Sequence, residues 1–167
     1  MGCDIHFYVE KWSDGTYDGP SSLLENRDNK ITDIVGGEKS FRWVSADKWT
    51  KELDGSWDVD YDDKYYKGRN YYLFSILADV RNYEDKNMAI QPPRGVPKDV
   101  SDGVSYILKR WEGDYHTPSF YGLHELLNVD WSKYEEEWLE EFKGTIEKMK
   151  LVDSNPLNVR CVFFFDN

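Results

Sequence analysis

Residues 3–12 alternate cleanly between apolar and polar positions. Cys3, Ile5, Phe7 and Val9 fall on one side, and Asp4, His6, Tyr8 and Glu10 on the other. Period two with β-forming residues predicts a half-buried strand. Asp14-Gly15 follows, a hairpin signal that would turn the chain back through Thr16 and Tyr17. Residues 18–40 hold no sustained period and are rich in Gly, Asn, Asp and Ser, which predicts a long loop with Gly36-Gly37 near its end. Residues 41–50 fit a strand or a short helix, and the acidic, Tyr-rich stretch 51–68 reads as irregular.

Helical spacing takes over after that. Leu73, Phe74, Ile76, Leu77 and Val80 recur on one face behind Asn70, a good N-cap. Four prolines or glycines between Asn82 and Pro97 make that segment a structured loop. Ser101 caps a second predicted helix carrying Val104, Ile107, Leu108 and Trp111, with Gly113 as its stop. The loop Gly-Asp-Tyr-His-Thr-Pro-Ser leads to a third helix with Phe120, Leu123, Leu126 and Leu127. Ser132 and Glu135 form a capping-box pattern that opens a fourth, on which Tyr134, Trp138, Phe142, Ile146 and Met149 make a stripe. Asp153 to Pro156 breaks it. Val159 to Phe165 is apolar on both parities, the signature of a central strand. The order implies an α+β fold: one small sheet holding both the N-terminal and the C-terminal strand, packed against about four helices. The 167 residues fit a single domain, 1–167.

Composition narrows the partners. The net charge of -11 repels phosphate backbones, so neither duplex nucleic acid nor an anionic membrane is an expected partner. Two cysteines make no disulfide framework. The first residues lack the apolar run of a signal peptide and no stretch reaches membrane-spanning length, so a cytoplasmic chain is expected. Aromatics reach 16%, with seven Trp and twelve Tyr, beyond what core filling asks for, which suggests that some rings line a groove.

Three segments carry candidate chemistry. Asp4, His6 and Glu10 share one strand face over about 20 Å, and carboxylates with imidazole are both metal ligands and an acid–base pair. The plainer reading is a solvated face, but Asp is a poor strand former. Asp114 and His116 repeat the Asp-x-His spacing in a loop, so the two pairs together would supply four ligands to a divalent metal ion. The plainer reading makes Asp114 a turn residue and Ser119 an N-cap. Arg94 stands among Pro92, Pro93 and Pro97, a rigid frame that suits a phosphate or carboxylate, or else an ordinary salt bridge. Arg69 and Arg81 flank the first helix as further anion contacts or plain surface charges. Other patterns fail. Asp58-x-Asp60-x-Asp62 lacks the Gly and Glu of an EF-hand loop, since Asp63 and Arg69 hold those positions. Asp4-x-His6 shares only its spacing with the opening of metallophosphoesterases, and His124-Glu125 lacks the second His of a zincin.

The start Met-Gly-Cys-Asp-Ile-His, Gly-Arg-Asn-Tyr-Tyr-Leu-Phe, Leu-Ala-Asp-Val-Arg-Asn, Pro-Pro-Arg-Gly-Val-Pro, Asp-Tyr-His-Thr-Pro-Ser and the end Val-Phe-Phe-Phe-Asp-Asn are spread over nearly the whole chain. In these it resembles a family of uncharacterised proteins common in phage and prophage genomes. The resemblance implies a host-cell setting and places Asp4, His6, Glu10, Arg69, Asn70, Arg81, Arg94, Asp114 and His116 in a shared pattern. It supplies no reaction. Three readings follow. The first is a metal-assisted hydrolase of a small phosphorylated or nucleotide-like molecule. Asp4, His6, Asp114 and His116 would hold the metal, Glu10 would act as catalytic general base, and Arg69, Arg81 and Arg94 would serve the ligand. The second is a non-catalytic binding protein that sequesters a host nucleotide signal or blocks a host defence protein. The third is structural: the same polar residues hold the loops in place. Convergence of residues 4, 6, 10, 114 and 116 around a concavity would favour the first, and dispersal the second.

Overall fold

The computed structural model describes residues 2–13 and 41–167. The Asp14-Gly15 hairpin and the 18–40 loop lie outside the described residues. Ten elements follow in chain order: β1 (Asp4–Ser13), β2 (Arg42–Ser45), β3 (Trp49–Lys51), β4 (Trp57–Val59), α1 (Tyr71–Ala78), α2 (Asp102–Arg110), β5 (Tyr115–Gly122), α3 (Leu123–Asn128), α4 (Glu140–Lys150) and β6 (Val159–Asp166). β2, β1, β6 and β5 form an antiparallel sheet in that order, and β3–β4 a separate two-stranded ribbon. The fold is α+β, with the N- and C-terminal strands paired from Asp4 opposite Asp166 to Lys11 opposite Val159.

The sheet is covered on both faces. Ile5, Phe7, Val9, Phe163 and Phe165 pack with Leu73, Phe74 and Leu77 of α1, Leu123 and Leu126 of α3, and Phe142 and Ile146 of α4. On the other face Tyr8, Val162 and Phe164 pack with Val104, Ile107 and Leu108 of α2 and with Trp49 and Val59 of the ribbon. This explains why β6 is apolar on both parities. It also corrects the expectation of a half-buried β1: the side carrying His6, Tyr8 and Glu10 is a second core, closed by α2 and the ribbon, and only Asp4 on it is exposed. Each fully buried Phe or Leu is worth roughly 1.5–3 kcal/mol, so these two layers outweigh any single cap.

The caps of the first two helices form as their sequence predicts. Asn70 accepts from the N–H of Leu73, and Ser101 from that of Val104. Two expectations fail for tertiary reasons. Residues 115–122 form β5 rather than a loop and the start of a helix, and α3 begins only at Leu123. Pro118 hides the strand in the sequence, but β5 is an edge strand with a bulge between His116 and Ser119, where a missing ladder donor is tolerated. Ser119 is therefore no cap; its hydroxyl accepts from the N–H of Arg94. Likewise no capping box opens at Ser132. The Glu135 N–H goes to the Tyr72 hydroxyl, residues 131–138 form two 3-10 turns, and α4 starts at Glu140 with Phe142, Ile146 and Met149 inward. The 51–68 stretch also contains β4, joined to β3 by a turn in which Gly55 has φ +84°.

Candidate functional site

Strand register decides which candidates can meet. Asp4 lies opposite Asp166, which lies opposite Tyr115; one rung inward, Ile5 faces Phe165 and Phe165 faces His116. His6 is opposite Phe164. Neighbours along a strand point to opposite faces, so His6 stands on the α2 side of the sheet and His116 on the α1 side. The ring contacts agree: His6 stacks on Phe164 at 4.8 Å and meets Trp111 at 4.4 Å, while His116 stacks on Phe165 at 6.0 Å.

Each candidate has a definite environment. His6 Nε2 pairs with Asp166 Oδ2 at 2.8 Å, and its side chain is only 12% exposed. Arg69 clasps Asp4 with two bonds of 2.7 Å, which hold that carboxyl below its usual range. Asp114 is exposed in the turn after α2. The four proposed ligands Asp4, His6, Asp114 and His116 are thus not brought to one point. Among the described residues, no group of three His, Cys, Asp or Glu side chains is placed to hold a metal ion. Glu10 lies at the other end of β1, without exposed surface. Its Oε1 accepts from Arg160 Nε at 2.6 Å and its Oε2 from the Ser101 N–H at 2.6 Å. Burial pushes this carboxyl above its ordinary range, against the pull of Arg160 and Ser101. Arg94 forks onto Glu125 and lies over Tyr121, so its rigid frame serves an internal ion pair.

Arg81 and His116 do come together. They line one cleft of about 530 Å³ with Asn82, Tyr83, Thr117 and Asn167, at the sheet end where β1 begins and β6 finishes. The Arg81 guanidinium donates to the Tyr83 hydroxyl at 2.8 Å and to Asn167 Oδ1 at 3.4 Å, and also contacts the Cys3 thiol. Burial pushes that thiol up despite the arginine. Backbone strain gathers on both walls: Arg81 has φ 57° and Thr117 φ 50°. A left-handed β-branched residue is a genuine outlier, and each such position costs roughly 1–3 kcal/mol. Thr117 uses its conformation to set Oγ1 2.8 Å from His116 Nδ1, while His116 Nε2 is buried with no hydrogen-bond partner. Thr117→Gly is expected to raise stability by about 1 kcal/mol in thermal denaturation, because the left-handed penalty disappears. An unchanged or lower midpoint would show that the hydroxyl bond to His116 outweighs the strain.

The sequence did not single out Asp166, Asn167, Asp47 or Arg160. For Arg160 a signal existed: a lone cation inside an apolar strand needs a buried counter-charge. Fold and site together define an α+β protein with both terminal strands in one covered sheet and a polar, strained cleft at the sheet end. Compared with known proteins, the chain matches no family model, no curated protein and no solved structure. No helix among the described residues is long and apolar enough to cross a membrane.

Proposed function

We propose that the protein binds a small phosphorylated or nucleotide-like molecule in the Arg81–His116 cleft, without turning it over. One observation carries the reading: three non-glycine residues in left-handed conformation, Asp79, Arg81 and Thr117, line a single cleft, in which the Arg81 guanidinium stands with the His116 ring. Strain retained on both walls of a concavity is the mark of a functional surface. The guanidinium supplies charge-assisted donors for a phosphate, and the side-chain amide of Asn167 adds neutral ones, whereas Asn82 gives its amide to Asp79 and the Asn87 carbonyl. Tyr83 is 64% exposed at the rim, so its ring can stack on a base. The volume falls in the ordinary range for small-ligand sites.

Binding is preferred to hydrolysis because Glu10, the residue expected to act as general base, is buried about six residues along β1 from this cleft and already engaged by Arg160 and Ser101. In a phage setting, such a protein would hold a host nucleotide signal away from its receptor.

The test is calorimetric titration with inorganic phosphate and with nucleoside mono-, di- and triphosphates. Saturable binding of a phosphorylated ligand is expected, weakened roughly ten- to a hundredfold in Arg81→Ala, the loss typical of a charge-assisted hydrogen bond. Absence of binding, or equal affinity in the variant, would defeat the proposal. Steady release of phosphate or of a cleaved nucleotide would replace binding by catalysis.

A further inference from the structure

A second concavity lies outside that cleft. Arg69, Asn70, Tyr71, Tyr72 and Trp138 line a groove of about 500 Å³ between the start of α1 and the turn before α4. Trp138 is 52% exposed, although its sequence position belonged to a predicted core stripe. The groove is held from both sides. Asn70 Nδ2 donates to the Trp138 carbonyl at 2.5 Å, and the Glu135 N–H donates to the Tyr72 hydroxyl at 2.8 Å. The backbone at Trp138 and the Tyr72 side chain are therefore pre-positioned, which lowers the ordering cost of binding.

Its surroundings are acidic. Glu135, Glu136, Glu137, Glu140 and Glu141 fall within the seven residues around Trp138, and all are exposed. Glu136 is paired with Lys143, and the Glu141 carboxylate reaches back towards Gly68, beside the groove. The cation lining the groove, Arg69, is already neutralised by Asp4. Aromatic faces beside a run of exposed carboxylates form a receptor for a cationic side chain, which gains both cation–π attraction and charge pairing.

We infer that the Trp138 groove docks a Lys- or Arg-bearing segment of a partner protein. Charge complementarity selects that occupant. A nucleic acid or anionic lipid is repelled by the same glutamates, and a second copy of this chain packed about a two-fold axis would set the acidic run against itself. The two sites meet where the Arg81 guanidinium lies over the Tyr71 ring, and Trp138 takes no part in the Arg81 cleft, so the Trp138 variant tests this groove alone.

The experiment is titration of the whole protein, labelled at its Trp indoles, with a short Lys/Arg-rich peptide and with a Glu-substituted control. NMR follows the Trp138 indole resonance, and sedimentation runs in parallel. Saturable binding that shifts this resonance is expected for the basic peptide alone. Trp138→Ala should weaken it about tenfold, and Glu136→Lys with Glu137→Lys by a similar factor, with phosphate binding at the other cleft unchanged. Equal affinity in Trp138→Ala would mean attraction by net charge alone and would overturn the proposal. So would absence of saturable binding, or self-association abolished by Trp138→Ala, which would give the groove to a second copy.

Discussion

Glu10→Ala is expected to lower the unfolding free energy by roughly 3–5 kcal/mol in urea titrations, the cost of stranding a buried charge. Glu10 has no exposed surface and Arg160 keeps only 7% of its side chain accessible. Their 2.6 Å bond joins β1 to β6 in the sheet centre, and the second Glu10 oxygen receives the Ser101 N–H at the start of α2. Arg160 retains Asp99, whose Oδ1 and carbonyl accept at 2.9 and 3.1 Å, and lies over Trp43 at 4.1 Å. Those contacts do not replace the lost counter-charge, since Asp99 is largely solvent-exposed. Alanine also leaves the Ser101 N–H without its acceptor. Glu10→Gln, which keeps an oxygen for Ser101 but not the charge, should fall between. The double variant Glu10→Ala with Arg160→Met should recover part of the loss, because an apolar pair avoids the desolvation of two ions. A single-variant loss below about 1 kcal/mol would place this pair with weak surface bridges instead. The same variants separate a structural Glu10 from a catalytic one: the first weakens folding, the second would spare it.

The outer elements were legible because local pattern and tertiary need agree in them. The alternation of residues 3–12 and the two-parity apolar run 159–165 lead directly to β1 and β6, and Asn70 and Ser101 cap helices where their sequence says they should. Elements whose backbone groups are claimed by distant residues were not legible. β5 carries a proline and a bulge that read as loop, and only its pairing with β6 makes it a strand. The start of α4 departs from the capping-box pattern because Tyr72 takes the Glu135 N–H, a contact 63 residues long.

The same logic governs the site. Asp4, His6, Arg69, Arg81 and His116 do gather at one end of the sheet. The Asp-x-His spacing within each strand, however, says nothing about which face that strand shows to its neighbour. The register with β6 puts Phe164 beside His6 and Phe165 beside His116, and one residue of difference sets the whole sheet between the two imidazoles. Glu10 looked accessible by parity, and its burial depends on Arg160, 150 residues away.

Asp47 carries a large expected pH dependence. It is fully buried two residues past β2, where its Oδ2 accepts from the Val9 N–H at 2.9 Å and from Ser45 Oγ at 3.4 Å, while Oδ1 has no partner. Burial, with the Glu10 carboxyl adding to it, pushes the Asp47 acid up to about 8. Below about pH 4 the group is protonated in both the folded and the unfolded chain and contributes no pH dependence. As pH rises from there, the unfolded chain loses the proton and the folded one keeps it, so unfolding is favoured progressively until the native acid ionises near pH 8. At about 1.4 kcal/mol per pH unit, the loss across that window is on the order of 5 kcal/mol. Asp47→Asn removes the titration yet still offers an oxygen to Val9 and Ser45, and its amide occupies the place of the acid O–H. Urea stabilities of the two proteins should therefore converge near pH 4 and diverge as pH rises, with the variant the more stable by several kcal/mol near pH 8, to order of magnitude. Parallel curves would mean that the native carboxylate is ionised and compensated in place; Lys64, whose charge favours the ionised form, is the group to test next.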